Sequence, residues 1–208
     1  RFSKINGMHQ EKELTTLGLH LPTDPRWANL AAMSLQEILT DHAFCEQKAA
    51  SAGISLIQLF PDKKELVQQV SEVVAEEWEH FKMVVKELEN RSLKLGFQRK
   101  DIYVTELLKF VKKGGSRDER LLDLLLLSAV IEARSCERFR LLSLELKEQN
   151  LRDFYHQFVI SEAGHYRLFL NLAELYLGKE KTWKRWQEFL DYEAQVIADI
   201  GLRAGSMH

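Results

Sequence analysis

One four-residue pattern occurs twice in this chain, each time inside a long helical stretch: Glu77-Trp78-Glu79-His80 and Glu162-Ala163-Gly164-His165. A glutamate and a histidine three positions apart on a helix project from one face, about one turn from each other. Each pattern follows another long helical stretch with a single carboxylate at the middle of its apolar face, Glu46 in the first half and Glu132 in the second. The spacings match, with 31 positions from Glu46 to Glu77 and 30 from Glu132 to Glu162. An uncompensated carboxylate on a buried face costs several kcal/mol. The symmetry therefore requires four helices to meet where their acids are neutralised. Two Glu-x-x-His helices facing two Glu helices are the pattern of a two-metal carboxylate site inside a four-helix bundle.

The rest of the chain reads as the scaffold for that meeting point. It has 208 residues, 45% hydrophobic, with only three prolines, which suits one helical domain with a substantial core. Residues 1–22 are expected to be irregular, and 23–208 to form a single ferritin-like domain. Met8 is a candidate natural start. Asp24-Pro25 opens a first helix that runs to about Ala52 and stops at Gly53. Asp62 and Glu65 read as a capping box for a second helix ending near Asn90. An amphipathic stretch from Asp101 to Lys113, closed by Gly114-Gly115, fits a crossover helix between the two halves. Ser116 and Glu119 form a second capping box, opening a third helix to about Lys147. Asn150 separates it from a fourth, which ends at Gly178, and Thr182 is a cap for a last helix to about Ile200. No strand alternation occurs. The fold expected is all-α, a ferritin-like four-helix bundle with a short crossover helix and an extra C-terminal helix.

Six side chains carry the chemistry: Glu46, Glu77, His80, Glu132, Glu162 and His165. Four carboxylates and two divalent ions sum to zero charge, as burial demands, and imidazole suits iron. Glu37 and Asp41 compete with Glu46, although the matched spacing favours Glu46. Glu137 shares a helix with Glu132 but points about 140° away. Glu76 and Glu79 read as solvated or as supports for the ligands. His42 lies one turn before Glu46, within reach of it, and reads more as a core histidine than a ligand. Tyr155, two turns before Glu162, reads more as core packing than as a redox residue, and Cys136 as a small core residue near the site. The net charge of −2 gives no global attraction to nucleic acid. Cys45 and Cys136 form no CxxC or disulfide framework, the first residues lack a signal-peptide core, and the richest apolar run is interrupted by Asp123 and Ser128. A reduced, cytoplasmic setting off the membrane is expected.

Four stretches are more specific than the paired Glu-x-x-His: Asp41 to Ala50, Glu76 to Phe81, Ile131 to Phe139, and Ser161 to Tyr166. They resemble the tRNA 2-methylthio-N6-isopentenyladenosine hydroxylases, the MiaE family, and the likeness extends over roughly residues 19–205. The resemblance implies a monooxygenase that hydroxylates the isopentenyl group of a modified adenosine beside the anticodon. It implies two iron ions on the six residues, dioxygen as co-substrate, and electrons from a reductase or ferredoxin-type donor. The partner it implies is the anticodon loop of tRNA, whose single-stranded bases can be splayed into a pocket. Leu125, Phe139, Phe158 and Phe169 could line that pocket, though each reads more as core. Phosphates would need local cations. Candidates are Lys112, Lys113 and Arg117 in one stretch, and Lys181, Lys184 and Arg185, interleaved with Trp183 and Trp186, in another. Arg134, Arg138 and Arg140 could neutralise carboxylates or meet phosphate. Two other readings stay open: a di-iron oxidase or oxygenase acting on a small lipid or metabolite, and an iron-handling protein of ferritin type.

Overall fold

The computed structural model describes residues 17–203 and 205–207. The candidate start Met8 and most of the segment expected to be irregular lie outside them. Helices α1 (Arg26–Met33), α2 (Leu35–Leu59), α3 (Lys64–Asn90), α4 (Ile102–Leu107), α5 (Arg117–Glu145), α6 (Gln149–Leu177) and α7 (Lys179–Ile200) make up the architecture, with a 3-10 turn, Leu108–Phe110, after α4. Among the described residues there is no strand. The all-α bundle with a crossover helix and an added C-terminal helix is as expected.

Helices α2 and α3 form one antiparallel hairpin and α5 and α6 another; α3 packs on α6, and α7 closes one flank. The buried apolar residues fall into two clusters. One holds Leu56, Leu66, Val70, Leu125 and Phe169. The other holds Leu39, Val84, Leu88, Phe139 and Phe158. On α2, α3 and α6 the candidate ligands lie between the residues of one cluster and those of the other, and on α5 Glu132 lies near the end of the first cluster, before Phe139 opens the second. The acids therefore form a polar layer across the middle of the bundle. All four of the pocket-lining candidates belong to these clusters, so they are core.

Several expected boundaries move, each for a local reason. The first helix is broken at Ser34, whose φ of −127° and ψ of 48° leave the helical region. Gly53 does not end a helix. It lies inside α2, where a Cβ would come 2.5 Å from Val74 Cγ2, so glycine is there for close approach of α2 to α3. Asp62 caps nothing: α3 begins after Lys63 without a side-chain cap, and Asp62 pairs with Arg117. Asp101 does cap α4, accepting from Val104 N at 3.0 Å, but the helix ends well before Gly114. The Ser116/Glu119 capping box is present. Thr182 is buried one turn inside α7, which starts directly after Gly178 at a φ of 83°.

Candidate metal centre

The six candidate ligands converge in two overlapping groups. Glu46, Glu77, His80 and Glu162 bring one ligand atom each within 4.8 Å of one another, as do Glu77, Glu132, Glu162 and His165. The two Glu-x-x-His glutamates belong to both groups, and each group adds one further glutamate and one histidine. Two sites sharing two carboxylates is the arrangement that bridges a pair of ions.

The histidines are aimed by their outer nitrogens. His165 Nε2 is 2.8 Å from Glu76 Oε2, and His80 Nε2 is 3.2 Å from Ser161 Oγ. With Nε2 engaged there, Nδ1 of each ring is turned toward the acids. His165 Nδ1 lies 2.8 Å from Glu77 Oε1, and His80 Nδ1 lies 3.4 Å from Glu46 Oε2 and 3.5 Å from Glu77 Oε2. These contacts lack hydrogen-bond geometry. His80 Nδ1, His165 Nδ1, both oxygens of Glu77 and Glu162 Oε1 are buried without a hydrogen-bond partner. Buried polar atoms converging on one another unpaired are donor atoms short of an ion.

The electrostatics agree. Among the described residues none of the four glutamates is ion-paired to lysine or arginine. Burial, and then Glu77 and Glu132, hold the Glu46 carboxyl well above the ordinary carboxylate range. Burial, with Glu132 and Glu77, does the same to Glu162. Burial pushes Glu77 up too, but the Glu46 carboxyl and the two imidazoles outweigh it and carry Glu77 below that range. His165 is pushed up to about 11, against the effect of burial, by Glu132 and Glu77. The protein groups alone thus balance their charge with protons, where two divalent ions would balance it directly. The donor set, its orphaned atoms and its charge fit a pair of metal ions.

Neighbouring acids with other partners fall away from the cluster. Glu37 pairs with Arg99, Asp41 accepts from Met207 N, and Glu79 pairs with Lys82 on the surface. Glu137 turns to the opposite side of α5 and binds Arg134. Arg134 thus neutralises carboxylates, but not those of the cluster. His42 is fully buried, its Nε2 2.6 Å from Glu46 Oε1, in a cage of Phe139, Phe154, Tyr155 and Phe158. It supports Glu46 from behind. Cys136 Sγ donates to Val159 O at 3.3 Å, and burial pushes its thiol up to about 12.

A cavity of about 90 Å³ reaches the cluster from one side. Glu46, Glu77, Glu132 and Glu162 form its floor, and Ala49, Ala52, Val104 and Ile131 its apolar wall. Lys48 and Asp101 also line it. Sequence reasoning singled out neither. The available signal was the amphipathic crossover stretch, whose Asp101 and Val104 line the cavity together with residues of α2 and α5.

The two basic stretches meet at one end of the bundle. Lys112, Lys181 and Lys184 line a depression of about 220 Å³ together with Glu119, Asp123 and Glu188. Arg185 is held inside it by Asp123 and Glu188, and Arg117 is held by Asp62 and Leu59 O. Trp186 is buried in the core and only Trp183 is partly exposed, so the expected pair of stacking aromatics does not form.

A helical bundle with four glutamates and two Glu-x-x-His histidines gathered at its centre defines a protein of the ferritin-like class with a candidate carboxylate–histidine metal centre. A solved structure described as protein 43 with aldehyde deformylating oxygenase activity, from Synechococcus, superposes with a TM-score of 0.86 at 31% identity, covering 91% of this chain and 94% of that one. Residues 11–204 match the family described as tRNA-(MS[2]IO[6]A)-hydroxylase (MiaE). Two relatives carry the name tRNA 2-(methylsulfanyl)-N(6)-isopentenyladenosine(37) hydroxylase. The one from Pseudomonas putida is 36% identical, covering 83% of this chain and 82% of the relative. The one from Salmonella typhimurium is 28% identical, covering 86% and 83%. This chain belongs to the MiaE family of tRNA hydroxylases.

Proposed function

We propose that this protein is a dioxygen-dependent di-iron monooxygenase that hydroxylates the isopentenyl group of 2-methylthio-N6-isopentenyladenosine beside the anticodon of tRNA, in the cytoplasm. The observation that carries the reading is the apolar cavity floored by the four cluster carboxylates, in a chain of this family. Glu46 and His80 would hold one iron, Glu132 and His165 the other, and Glu77 and Glu162 both. Iron bound there supplies dioxygen activation, with two electrons from an external reductase or ferredoxin-type donor.

The remaining work belongs to the chain's own groups. Ala49, Ala52, Val104 and Ile131 offer the prenyl chain an apolar wall and keep water from the reacting carbon. Glu76 and Ser161 fix the imidazole rings, and His42 fixes Glu46, so that the donor atoms keep their positions. Among the described residues no helix is long and apolar enough to cross a membrane. Lys112, Lys113, Lys181 and Lys184 are the cations we assign to tRNA phosphates. Arg117 and Arg185, already held by carboxylates, contribute less.

The test is mass spectrometry of nucleosides from tRNA of a host that makes the methylthio-isopentenyl nucleoside but lacks the hydroxylase. The hydroxylated nucleoside is expected with the intact gene and absent with Glu132→Ala. Its absence with the intact gene, from protein holding two irons, would overturn the substrate. The aldehyde-deformylating structural neighbour supports a second reading, a small aldehyde or lipid substrate. A long-chain aldehyde assayed with the same protein separates the two.

A further inference from the structure

Lys48 on α2 and Asp101 at the start of α4 both line the cavity above the carboxylates, and they form an ion pair with each other. Lys48 Nζ donates to Asp101 Oδ2 at 2.5 Å, and both side chains are largely but not fully buried, at 26% and 14% exposure. Lys48 follows the ligand Glu46 by two positions on α2. Both residues line the same cavity, and the Lys48 side chain keeps part of its surface in solvent. On the far side α4 is fastened to α7, where Tyr103 OH donates to Glu193 Oε1 at 3.0 Å and Tyr192 OH to Glu106 O at 3.3 Å.

We propose that the Lys48–Asp101 pair gates this cavity, and that Lys48 exchanges Asp101 for a backbone phosphate of RNA as the target base enters. The inference rests on the tRNA reading above. Three features support it. First, the pair can part without moving a helix. Asp101 caps α4 through its other oxygen, which accepts from Val104 N, so the cap survives when Lys48 leaves. Second, lysine is a point charge on a flexible stem, able to swing between two anions. A partly exposed lysine–carboxylate pair gives little stability, so a phosphate replaces the carboxylate at small cost. Third, the anion has somewhere to continue. The depression lined by Lys112, Lys181 and Lys184 lies beyond the other end of the crossover, eleven positions from Asp101 at Lys112. A strand with one phosphate at Lys48 would run along α4 toward those lysines. The gate would then open readily for a base that arrives with its phosphates and poorly for a free nucleoside.

The test compares wild type, Lys48→Met and Asp101→Asn, the last keeping a side chain able to cap α4. Binding of a modified anticodon stem–loop is followed by fluorescence anisotropy across salt concentrations. Turnover is measured on the stem–loop and on the free nucleoside. Lys48→Met should bind the stem–loop about tenfold more weakly and flatten the salt slope by about 0.7. Its kcat/KM for RNA relative to nucleoside should fall with the affinity. Asp101→Asn should keep RNA binding and raise kcat/KM on the free nucleoside. Wild-type affinity and salt slope in Lys48→Met would overturn the proposal, as would equal losses on RNA and nucleoside. If wild type turns over neither substrate, the hydroxylase reading fails, while the binding measurements still decide the role of Lys48.

Discussion

Helix α5 presents carboxyl partners to two buried clusters on its opposite sides, and the two are neutralised differently. On one side Glu137 and Glu193 surround Arg134. Its Nε and Nη2 donate to Glu193 at 2.8 and 2.9 Å, and its Nη1 to Glu137 Oε2 at 2.5 Å. Thr23 donates to both oxygens of Glu137, at 3.0 and 2.7 Å, and Tyr103 to Glu193. On the other side Glu132 joins Glu46, Glu77 and Glu162 at similar burial, with no fixed cation and with several atoms unpaired. Arg134 and Glu193 are as buried as anything in the protein, so depth alone does not separate the clusters. One cluster carries its cation in the sequence and is complete on folding. The other has four acids and two imidazoles and, among the described residues, no lysine or arginine to neutralise them. The first ties α4, α5, α7 and the segment around Thr23 together; the second is where chemistry can happen.

The difference can be broken most completely from the metal side. Glu132→Ala should lose the pair of irons and all hydroxylation while folding normally, since it removes a buried acid that has no lysine or arginine partner among the described residues. Iron content and turnover check this, and two tightly bound irons with full activity would end the ligand assignment. Breaking the other cluster should cost stability. Arg134→Met leaves Glu193 and Glu137 buried without their cation, at about 3–5 kcal/mol. Adding Glu193→Leu should recover much of that loss, which denaturant unfolding of the single and double variants measures.

A third expectation concerns pH. Glu46, Glu162 and His165 hold their protons more tightly in the folded metal-free protein than in the unfolded chain. Groups with raised folded pKa values stabilise the protein below their unfolded pKa values and lose that contribution as pH rises. The metal-free protein should therefore become less stable from about pH 5 toward pH 9. Metal loading displaces the same protons, so affinity rises with pH. The gap in Tm between ferrous-loaded and metal-free protein, measured anaerobically, should widen across that range; a constant gap would contradict the proton-for-metal exchange. The smallest effect is expected at Tyr155, whose buried hydroxyl has no hydrogen-bond partner. Tyr155→Phe should leave stability unchanged or raise it by up to about 1 kcal/mol. Turnover should also be retained, and its loss would give Tyr155 a redox part.

Much of this contrast was legible in the chain. The doubled Glu-x-x-His and the matched spacings placed the cluster, because helical periodicity fixes which face a side chain occupies before any packing is known. The same periodicity set Glu137 apart from Glu132. The end of α6 at Gly178 and the Ser116/Glu119 box were equally local. Errors arose where a local signal was outweighed by a distant contact. Gly53 has the composition of a helix stop, but α3 approaches closely enough to need it inside a helix. Asp62 was free to cap until Arg117 took it.

The sequence by itself determined the class of the fold, the six residues that converge and the family, since each is written in residue types at fixed spacings along single helices. Tertiary structure alone decided that Glu77 and Glu162 belong to both groups, which residues line the cavity, that Lys48 meets Asp101, and that two distant basic stretches line one depression. Those facts depend on how helices are placed against one another. That placement comes from the sum of many weak apolar contacts, and no short stretch of sequence records it.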